Sequence, residues 1–359
     1  MDRRDFLKKT GAAAVAGAGM AAAPAIARST IKWKMVTTWP KNFPGLGTGA
    51  NNLARLITEM SGGRLKVKVY GAKELVPAFE VFDAVSRGTA EMGHASAYYW
   101  KGKVPEAQFF STMPFGMTAQ EMNGWIYYGG GQQLWDKAYE PFGVMGRPAG
   151  NTGVQMGGWF NKEINSLEDL KGLKMRIPGL GGEVLKRLGG TPVNLPGGEL
   201  FTALTSGTID ATEWVGPYND LAFGLYKAAK YYYYPGFHEP GTILEALINR
   251  KAFEELPRDL QAIVLNACKV VNMDMLAEYS ARNPGALDQL VNKHGVQLRA
   301  YPDDVLQQLR KVSVEVAEEL AGQNQAAAEI YKSYNAFLQA SRKYTRISDL
   351  AYLEARDGR

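Results

Sequence analysis

A segment of twelve residues that occurs twice restricts the fold of this chain more than any other feature. The segment from Glu80 to Glu91 has a counterpart from Glu199 to Asp210, in which Glu, Phe, Ala, Gly and Thr are identical in register. Each copy is predicted to be a helix whose Phe and Ala face inward, ended by a glycine at its C-cap and followed by a short strand. Chance likeness between two amphipathic helices is the alternative, but two lobes of similar construction explain the pair better.

The order of the predicted elements indicates an α/β fold with parallel strands. Residues 31–36 and 65–69 alternate apolar and polar side chains as strands do, and a helix is predicted between them at about 49–60. Strands and helices alternate to about residue 248, and the remainder is nearly all helical, with one short strand at 295–298. Because ligands of open α/β sheets bind beyond the carboxyl ends of strands, two sheets that face each other predict a cleft.

Aromatic residues follow both copies of the repeated segment. The first copy leads to Tyr98 and Tyr99, and the second leads to Glu213, Trp214 and Tyr218. If both copies end at the carboxyl edges of their sheets, these side chains lie on opposite walls of the cleft. They are therefore candidates for contact with a ligand.

Arg176 is a candidate for binding an anionic group. Residues 173–177 alternate, so the side chain of Arg176 points away from the apolar face, and Pro178 and Gly179 end the strand just beyond it. A guanidinium group presents two parallel donors to a carboxylate, which a lysine cannot do. From the local pattern alone, a solvated surface arginine is the alternative.

Two acids lie in segments where a carboxylate needs a partner. Glu213 stands among apolar and aromatic residues, where an unpaired charge is costly, and Glu239 stands in the Pro/Gly-rich loop 235–241. Together with a backbone carbonyl and the Gln155 amide, they would offer an all-oxygen site to Ca²⁺ or Na⁺. Glu213 paired with an arginine is an equally good interpretation.

The sequence favours binding over catalysis. The three histidines lack metal-ligand spacing, no Gly-x-Ser-x-Gly motif is present, and the Gly-rich stretches lack the Lys-Ser/Thr of a phosphate-binding loop. Cys268 is the single cysteine, so no intrachain disulfide can form. The net charge of +5 is dispersed, which argues against nucleic acid as a partner.

The first 27 residues are predicted to be a targeting segment of the twin-arginine (Tat) type. Arg3 and Arg4 are followed by an Ala/Gly-rich apolar run and by the Ala25-Ile26-Ala27 spacing that a signal peptidase recognises. We expect cleavage after about Ala27 and a periplasmic product. An ordinary Sec signal that carries two arginines is the alternative.

Several of these segments resemble one family of transport proteins. Residues 167–179 and the paired Phe-x-Ala-x-x-x-Gly-Thr helices resemble the DctP-like solute-binding subunit of the tripartite ATP-independent periplasmic (TRAP) transporters, over essentially the whole chain after residue 27. The resemblance implies an α/β, two-lobed periplasmic solute-binding fold with a ligand cleft between the lobes and a long C-terminal helix. It also implies that Arg176 binds the substrate carboxylate, that the TRAP membrane permease subunits receive the ligand, and that the chain is not an enzyme.

Other segments resemble the branch of that family that binds 2-oxo acids or lactate. The segments are Glu213-Trp214, the Tyr-rich run 231–234 and the loop 236–241. The branch implies a small monocarboxylate ligand, such as pyruvate or lactate, held with a bound Na⁺ or Ca²⁺. The residues it implies for the cation are Gln155, Glu213, the Trp214 carbonyl and Glu239; those for the substrate are Arg176, Gln155, Tyr98, Tyr99, Trp214, Tyr218 and Phe237.

The domain plan follows from the elements and the resemblance together. Lobe I is predicted at 28–152 with about 242–275, and lobe II at 153–241 with about 276–302. A single long helix at 303–345 is predicted to brace the lobes or to form a homodimer, before a tail at 346–359. Two alternatives remain at this point: a Tat-exported, metal-assisted periplasmic enzyme acting on a small carboxylate, and a binding protein that serves a sensor.

Overall fold

The computed structural model describes residues 30–358, so the predicted targeting segment at 1–27 lies outside the described residues. The described strands are short. They are β1 Ile31–Thr37, β2 Leu65–Tyr70, β3 Met92–Ala95, β4 Val144–Asn151, β5 Gly158–Phe160, β6 Lys174–Arg176, β7 Thr191–Val193, β8 Ala211–Thr212, β9 Tyr231–Tyr234, β10 Ile243–Asn249 and β11 Gln297–Ala300.

These strands form two separate sheets. The first has the order β2-β1-β3-β10-β4, in which β1 is parallel to β2 and β3, and β10 runs antiparallel to β3 and β4. The second has the order β11-β9-β5-β8-β6-β7, in which β6 is parallel to β7 and β8. Parallel strands place their carboxyl ends at one edge, so each sheet has an edge at which loops from neighbouring strands meet.

Helices cover the sheets and connect their strands. The α-helices are α1 Leu46–Met60, α2 Val81–Ser86, α3 Gln108–Ser111, α4 Ala119–Tyr128, α5 Gly131–Tyr139, α6 Gly179–Arg187, α7 Leu200–Thr205, α8 Pro217–Phe223, α9 Arg250–Glu254, α10 Arg258–Asp288, α11 Asp303–Ala321, α12 Gln325–Thr345 and α13 Ala351–Arg356. Helix α10 packs on α1 and β4 of the first sheet's layer and on α8 of the second, so it ties the two layers together.

The helical stretch Arg258–Lys293, which begins with α10, is long and apolar enough to cross a membrane by length and composition alone. Its buried side chains, among them Cys268 and Tyr279, pack in the protein core. That core explains the apolar composition without a membrane, because a helix packed on two layers needs apolar residues on more than one face.

The two copies of the repeated segment occupy equivalent places. Helices α2 and α7 each end before a glycine in the left-handed region, Gly88 (φ 75°) and Gly207 (φ 72°), and each leads to a strand, β3 or β8. The acid that ends each copy accepts a hydrogen bond from the adjoining strand: Lys34 N donates to Glu91 at 2.7 Å, and Lys174 N donates to Asp210 at 2.9 Å. The segment is therefore one structural unit used twice.

The inward placement predicted for both phenylalanines holds only in the first copy. Phe82 is buried among the rings of Trp100, Tyr139 and Phe142, whereas Phe201 is 38% exposed. The buried face of α7 is made by Leu200, Ala203 and Leu204 instead, which belong to a core cluster with Trp159 and Trp214.

The single helix predicted at 303–345 is instead two helices, α11 and α12, which pack against each other. The chain leaves the helix at Gly322, and Asn324 starts the next one, since its side chain accepts a hydrogen bond from Ala327 N at 2.8 Å. Helical structure then continues through a π-helical turn to Arg356. The long C-terminal helical segment therefore runs from Gln325 to Arg356, and most of the expected tail is part of it.

Candidate functional site

The candidate site lies where β6 and β8 end, at the carboxyl edge of the second sheet. The strands are parallel neighbours with Arg176 opposite Thr212, so Arg176 and Glu213 reach the same edge. The Glu213 amide donates to the Arg176 carbonyl at 3.1 Å. The sheet itself therefore brings these two charged side chains together.

Arg176 is buried, and each of its guanidinium nitrogens has a partner. Nη1 donates to the Glu213 carboxylate, Nη2 donates to the Tyr99 hydroxyl at 3.2 Å, and Nε donates to the Leu195 carbonyl at 3.1 Å. The guanidinium carbon also lies 5.2 Å from the centre of the Trp214 ring. Because Arg176 is 1% exposed, the interpretation as a solvated surface arginine is wrong.

Burial and neighbouring charge act in opposite directions on Arg176. Burial disfavours the charged form, but the Glu213 carboxylate and the hydroxyls of Tyr99 and Tyr98 outweigh it and raise the pKa of Arg176 above its ordinary value. Arg176 is therefore a fixed positive charge inside the protein. A buried cation with one carboxylate partner can also bind the carboxylate of a ligand.

A second buried acid, Glu239, lies beside Glu213. Its Oε2 accepts hydrogen bonds from Gln155 Nε2 and from the Thr242 hydroxyl, both at 2.7 Å. Burial, and then the charge of Glu213, raise the pKa of Glu239 to about 7. Two carboxylates so close together repel each other, and a cation between them would relieve that repulsion.

Several buried polar atoms around these acids have no hydrogen-bond partner among the residues that the structure describes. They are Gln155 Oε1, Glu213 Oε2 and both ring nitrogens of His238. One ligand atom each from Glu213, His238 and Glu239 lies within 4.8 Å of the others. Buried polar groups are normally paired, so unpaired acceptors that converge on one place fit a bound cation.

The Trp214 carbonyl is also available in this part of the chain. Among residues 30–358 no hydrogen bond to that carbonyl is found. Gln155, Glu213, Trp214 and Glu239 thus offer the oxygen donors that a hard cation prefers. With Arg176 charged and both acids ionised, the cluster carries one net negative charge, which a cation would reverse or cancel.

The predicted aromatic residues divide into two groups. Tyr99 contacts Arg176, and Tyr98 is buried close enough to Glu239 and Glu213 for their charges, after burial itself, to raise its pKa well above the ordinary value. Tyr98 also lines a cavity of about 420 Å³ with Gly179. Tyr98 therefore stands between the buried acids and that cavity.

The structure does not bring Tyr218 into the same cluster of contacts. Its hydroxyl donates to Glu278 on α10 at 3.0 Å, and its amide donates to Asn283 at 3.0 Å. Phe237 lies beside His238, with ring centres 5.4 Å apart, and packs on Phe115 at 5.7 Å. Phe237 borders the acids, whereas Tyr218 joins α8 to the long helix.

Sequence reasoning missed three residues at the site. Trp39 lies 6.2 Å from the Tyr99 ring and 6.3 Å from the Trp214 ring, and Thr242 donates to Glu239. His238 was set aside because the histidines lack metal-ligand spacing, although it adjoins Glu239 in sequence. Adjacency to a candidate ligand in the same loop was the available signal; for Trp39, no local pattern gave one.

Comparison with known proteins gives one family and several similar chains. The model of a family described as bacterial extracellular solute-binding protein, family 7, matches residues 35–324. A monocarboxylate 2-oxoacid-binding periplasmic protein of Nostoc sp. is 46% identical over 322 residues, which cover 90% of this chain and 88% of that protein.

Two solved structures are similar over most of the chain. A TRAP periplasmic solute-binding protein from Pseudoalteromonas atlantica, with bound sodium and pyruvate, has a TM-score of 0.88 and 45% identity, and the match covers 90% of this chain and 99% of that one. One from Colwellia psychrerythraea, with bound calcium and pyruvate, has a TM-score of 0.88 and 47% identity, with coverage of 91% and 99%. The predicted α/β solute-binding fold with a long C-terminal helix is confirmed.

Proposed function

This chain belongs to family 7 of the bacterial extracellular solute-binding proteins, the DctP family, and from that membership we propose that it captures pyruvate or a similar small 2-oxo monocarboxylate together with a bound Ca²⁺ or Na⁺. A 2-hydroxy acid such as lactate is the second candidate, because a hydroxyl next to the carboxylate can also approach a cation. The observation that carries the proposal is Arg176, a buried cation beside two buried acids, with Glu213 Oε2 and Gln155 Oε1 unpaired within residues 30–358.

Membership in this family also decides between binding and catalysis. Its members are solute-binding proteins of TRAP transporters and not enzymes, so the metal-assisted enzyme considered from the sequence is not supported. The family places the chain in the periplasm and makes the TRAP membrane permease its partner. Cleavage of a Tat-type signal after about Ala27 remains our proposal for how it arrives there.

The charges of the site favour a monoanion bound with a cation. Arg176 contributes one positive charge, and Glu213 and Glu239 contribute two negative charges when ionised. A divalent cation makes the site positive by one charge, and a monocarboxylate then neutralises it. A monovalent cation makes the site neutral before the acid binds, so Ca²⁺ gives the better balance for an anionic ligand in a buried place.

In this proposal, each residue of the site contacts either the ligand or the cation. Arg176 donates to the ligand carboxylate through nitrogens now directed at Glu213 and Tyr99. Gln155, Glu213, the Trp214 carbonyl and Glu239 would hold the cation, which supplies a positive charge for the carboxylate and for the neighbouring keto oxygen. Trp214 and Tyr98 exclude water from these contacts, which strengthens them.

The proposed lobes, 28–152 with about 242–275 and 153–241 with about 276–302, would close on the ligand from either side of the site. Contacts between them are already made in this structure, since Tyr99 and Tyr98 follow β3 of the first sheet and Arg176 ends β6 of the second. Two ion pairs cross between the same regions, Lys73 with Glu199 at 2.8 Å and Lys101 with Glu183 at 2.9 Å. These contacts join the two proposed lobes on either side of the site.

We also propose that the C-terminal helical segment mediates a homodimer. Large apolar side chains near its end are exposed, including Tyr344 at 70% and Ile347 at 74%, with Tyr352 and Leu353 one to two turns further on. Exposed apolar faces of this size indicate contact with another protein surface. Sedimentation of the intact protein against a variant truncated after Thr345 tests this: we expect a dimer for the first and a monomer for the second, and equal masses would contradict it.

A thermal-shift screen of small carboxylates tests the ligand proposal. A ligand present at about 100 times its dissociation constant stabilises a protein by roughly 2.7 kcal/mol. We expect shifts with 2-oxo or 2-hydroxy monocarboxylates and not with dicarboxylates or amines. Loss of the shift after chelation of divalent ions would identify Ca²⁺, and a shift that needs sodium would identify Na⁺. No shift with any carboxylate would contradict the proposal.

A further inference from the structure

His238 is the least explained polar side chain at the site. It is 1% exposed, and neither ring nitrogen has a hydrogen-bond partner within residues 30–358. The other two histidines are accounted for: His94 uses both ring nitrogens in hydrogen bonds, and His294 stacks on Tyr226 with ring centres 4.0 Å apart. A buried imidazole with two unused nitrogens is costly unless something else binds it.

The position of the ring shows what could bind it. His238 Nε2 lies 3.4 Å from Glu213 Oε2, an ion pair only when the imidazole is protonated, and that oxygen has no hydrogen-bond partner in the described chain either. Hydrogen bonds between nitrogen and oxygen are about 2.7–3.2 Å long, so the two atoms face each other at more than bonding distance. Two ligand atoms bound to one tetrahedral ion at about 2.0–2.2 Å lie about 3.3–3.6 Å apart, which matches the observed separation.

The surrounding donors complete such a set. Glu239 supplies a carboxylate within 4.8 Å of the other two groups, and the unpaired Gln155 Oε1 belongs to the side chain that donates to Glu239. One imidazole with two carboxylates differs from the all-oxygen set that Ca²⁺ and Na⁺ prefer. Imidazole nitrogen favours first-row transition ions, among them Zn²⁺.

We propose that His238 is a metal ligand and that the site therefore binds a first-row divalent ion such as Zn²⁺ in addition to hard cations. This inference rests on the proposed cation site and adds a nitrogen ligand to it. It changes the class of ion that the protein can hold beside the carboxylate. Glu213 would still accept the hydrogen bond from Arg176 through Oε1 and would bind the ion through Oε2.

Zinc titration of single variants tests this inference. The intact protein, purified without a histidine tag, is titrated with Zn²⁺ against a chelating dye and with Ca²⁺ by calorimetry. His238→Gln is compared with His294→Gln, which removes an imidazole far from the acids. We expect His238→Gln to weaken Zn²⁺ binding by at least about tenfold and Ca²⁺ binding by less than about threefold, with both affinities unchanged in His294→Gln.

Pulsed electron paramagnetic resonance of bound Cu²⁺ gives a second readout that does not depend on affinity. Imidazole nitrogen modulates the electron spin echo of a Cu²⁺ ion that it ligates. We expect this modulation in the wild type and in His294→Gln, and its loss in His238→Gln. Its persistence in His238→Gln would overturn the inference, as would equal losses of Zn²⁺ and Ca²⁺ affinity, because misplaced acids would weaken both ions alike.

Pyruvate titration separates this inference from the proposed function. In one outcome, the protein binds pyruvate in the presence of Ca²⁺, and wild type and His238→Gln have equal Zn²⁺ affinity. That outcome would contradict the role of His238 as a ligand and would support the proposed function. In the opposite outcome, Zn²⁺ binding depends on His238 but the protein binds no carboxylate. That outcome would support His238 as a metal ligand and would contradict the proposed function.

Discussion

Each copy of the repeated segment leads to a stretch, residues 94–100 after the first copy and 213–218 after the second, that together with the side chains beside it we call its tip. The two tips follow equivalent helix–strand units but carry side chains of different chemistry. At the first tip, the third residue after the segment is His94, and the neighbouring strand carries Val36; at the second, the equivalent residues are Glu213 and Arg176. His94 accepts from Trp39 Nε1 at 2.8 Å and donates from Nε2 to the Ala149 carbonyl at 2.9 Å. Its hydrogen-bonding capacity is used within the protein.

The charge of the two tips differs in the same way. Burial lowers the pKa of His94 to about 4, so His94 is neutral over the physiological range. The second tip holds a permanent cation, two acids and unpaired oxygens. The comparison teaches that the fold offers two equivalent edges, and that a site arises only where buried charge keeps some hydrogen-bonding capacity for a ligand.

Replacing the arginine of the second tip should have the largest effect. Arg176→Ala removes charged hydrogen bonds worth roughly 1.5–3 kcal/mol each, so we expect carboxylate affinity to fall by at least about 100-fold in calorimetry. It also leaves Glu213 buried without its partner, which should lower the free energy of unfolding by roughly 3–5 kcal/mol. Val36→Ala, at the equivalent place, should cost about 2 kcal/mol of stability and leave affinity unchanged. Equal losses of carboxylate affinity in Arg176→Ala and Val36→Ala would contradict the difference between the two tips.

A buried acid of the first sheet, Glu245, should contribute to the pH dependence of stability, as should Glu239 and Asp220, whose pKa values burial also raises to about 7. Glu245 accepts hydrogen bonds from Trp100 and Tyr139, and burial raises its pKa from 4.5 to about 7. The folded protein therefore retains a proton that the unfolded chain loses, so this residue's stabilisation is complete below about pH 4.5 and is lost as the pH rises through about 7.

The variant Glu245→Gln removes that titration and keeps one acceptor oxygen, which can occupy the place of Oε1, the atom that both Trp100 Nε1 and the Tyr139 hydroxyl approach. We expect its stability relative to the wild type to improve by roughly 3 kcal/mol at most between pH 4.5 and pH 8, measured by chemical denaturation at both values. Parallel stability curves for the two proteins would show that Glu245 is charged in the folded state.

Neutralising the acid of the second tip should abolish the response to cations. Glu213→Gln keeps the shape of the side chain and removes the charge that faces Arg176 and the cation, so Ca²⁺ affinity should fall by at least about tenfold in calorimetry. His94→Gln is the matched variant at the first tip, and it should lower stability without changing Ca²⁺ affinity. If His94→Gln lost Ca²⁺ affinity and Glu213→Gln did not, the cation would bind at the first tip, which would contradict our account.

The ion pairs across the cleft should have the smallest effect. Lys73 and Glu199 are both well exposed, and pairs of that kind contribute about 1 kcal/mol or less. We expect Lys73→Glu to weaken carboxylate binding by less than about fivefold at low salt, and the charge-exchanged double variant with Glu199→Lys to restore it. Rescue that is absent at low salt would show that the pair does not support closure.

The sequence allowed the frame of the second tip to be predicted, because the information is local. Alternation in residues 173–177 with the Pro-Gly pair placed Arg176 at the end of a strand, and the repeat placed Glu213 after the next one. Residue types alone offered Gln155 and Glu239 as cation ligands beside Glu213, with pairing of Glu213 and an arginine as an equal alternative, and the family resemblance then favoured the cation site.

The remaining features depend on packing between distant segments. Trp39 comes from a loop more than 130 residues away from the acids and carries no pattern of its own. Phe201 matches Phe82 in sequence, but what covers each ring is decided by other elements. The break at Gly322 lies within a run of good helix formers, and a single glycine followed by an asparagine cap was enough to end the helix.

A crystal structure of the protein with Ca²⁺ and pyruvate tests the central claim most directly. The account predicts anomalous density for the ion between Glu213, Glu239 and Gln155, with the pyruvate carboxylate on Arg176. It also predicts that the first tip, around His94, is unchanged. An ion or acid bound beside His94, or pyruvate bound with the Arg176–Glu213 pair undisturbed and no contact to it, would contradict the account.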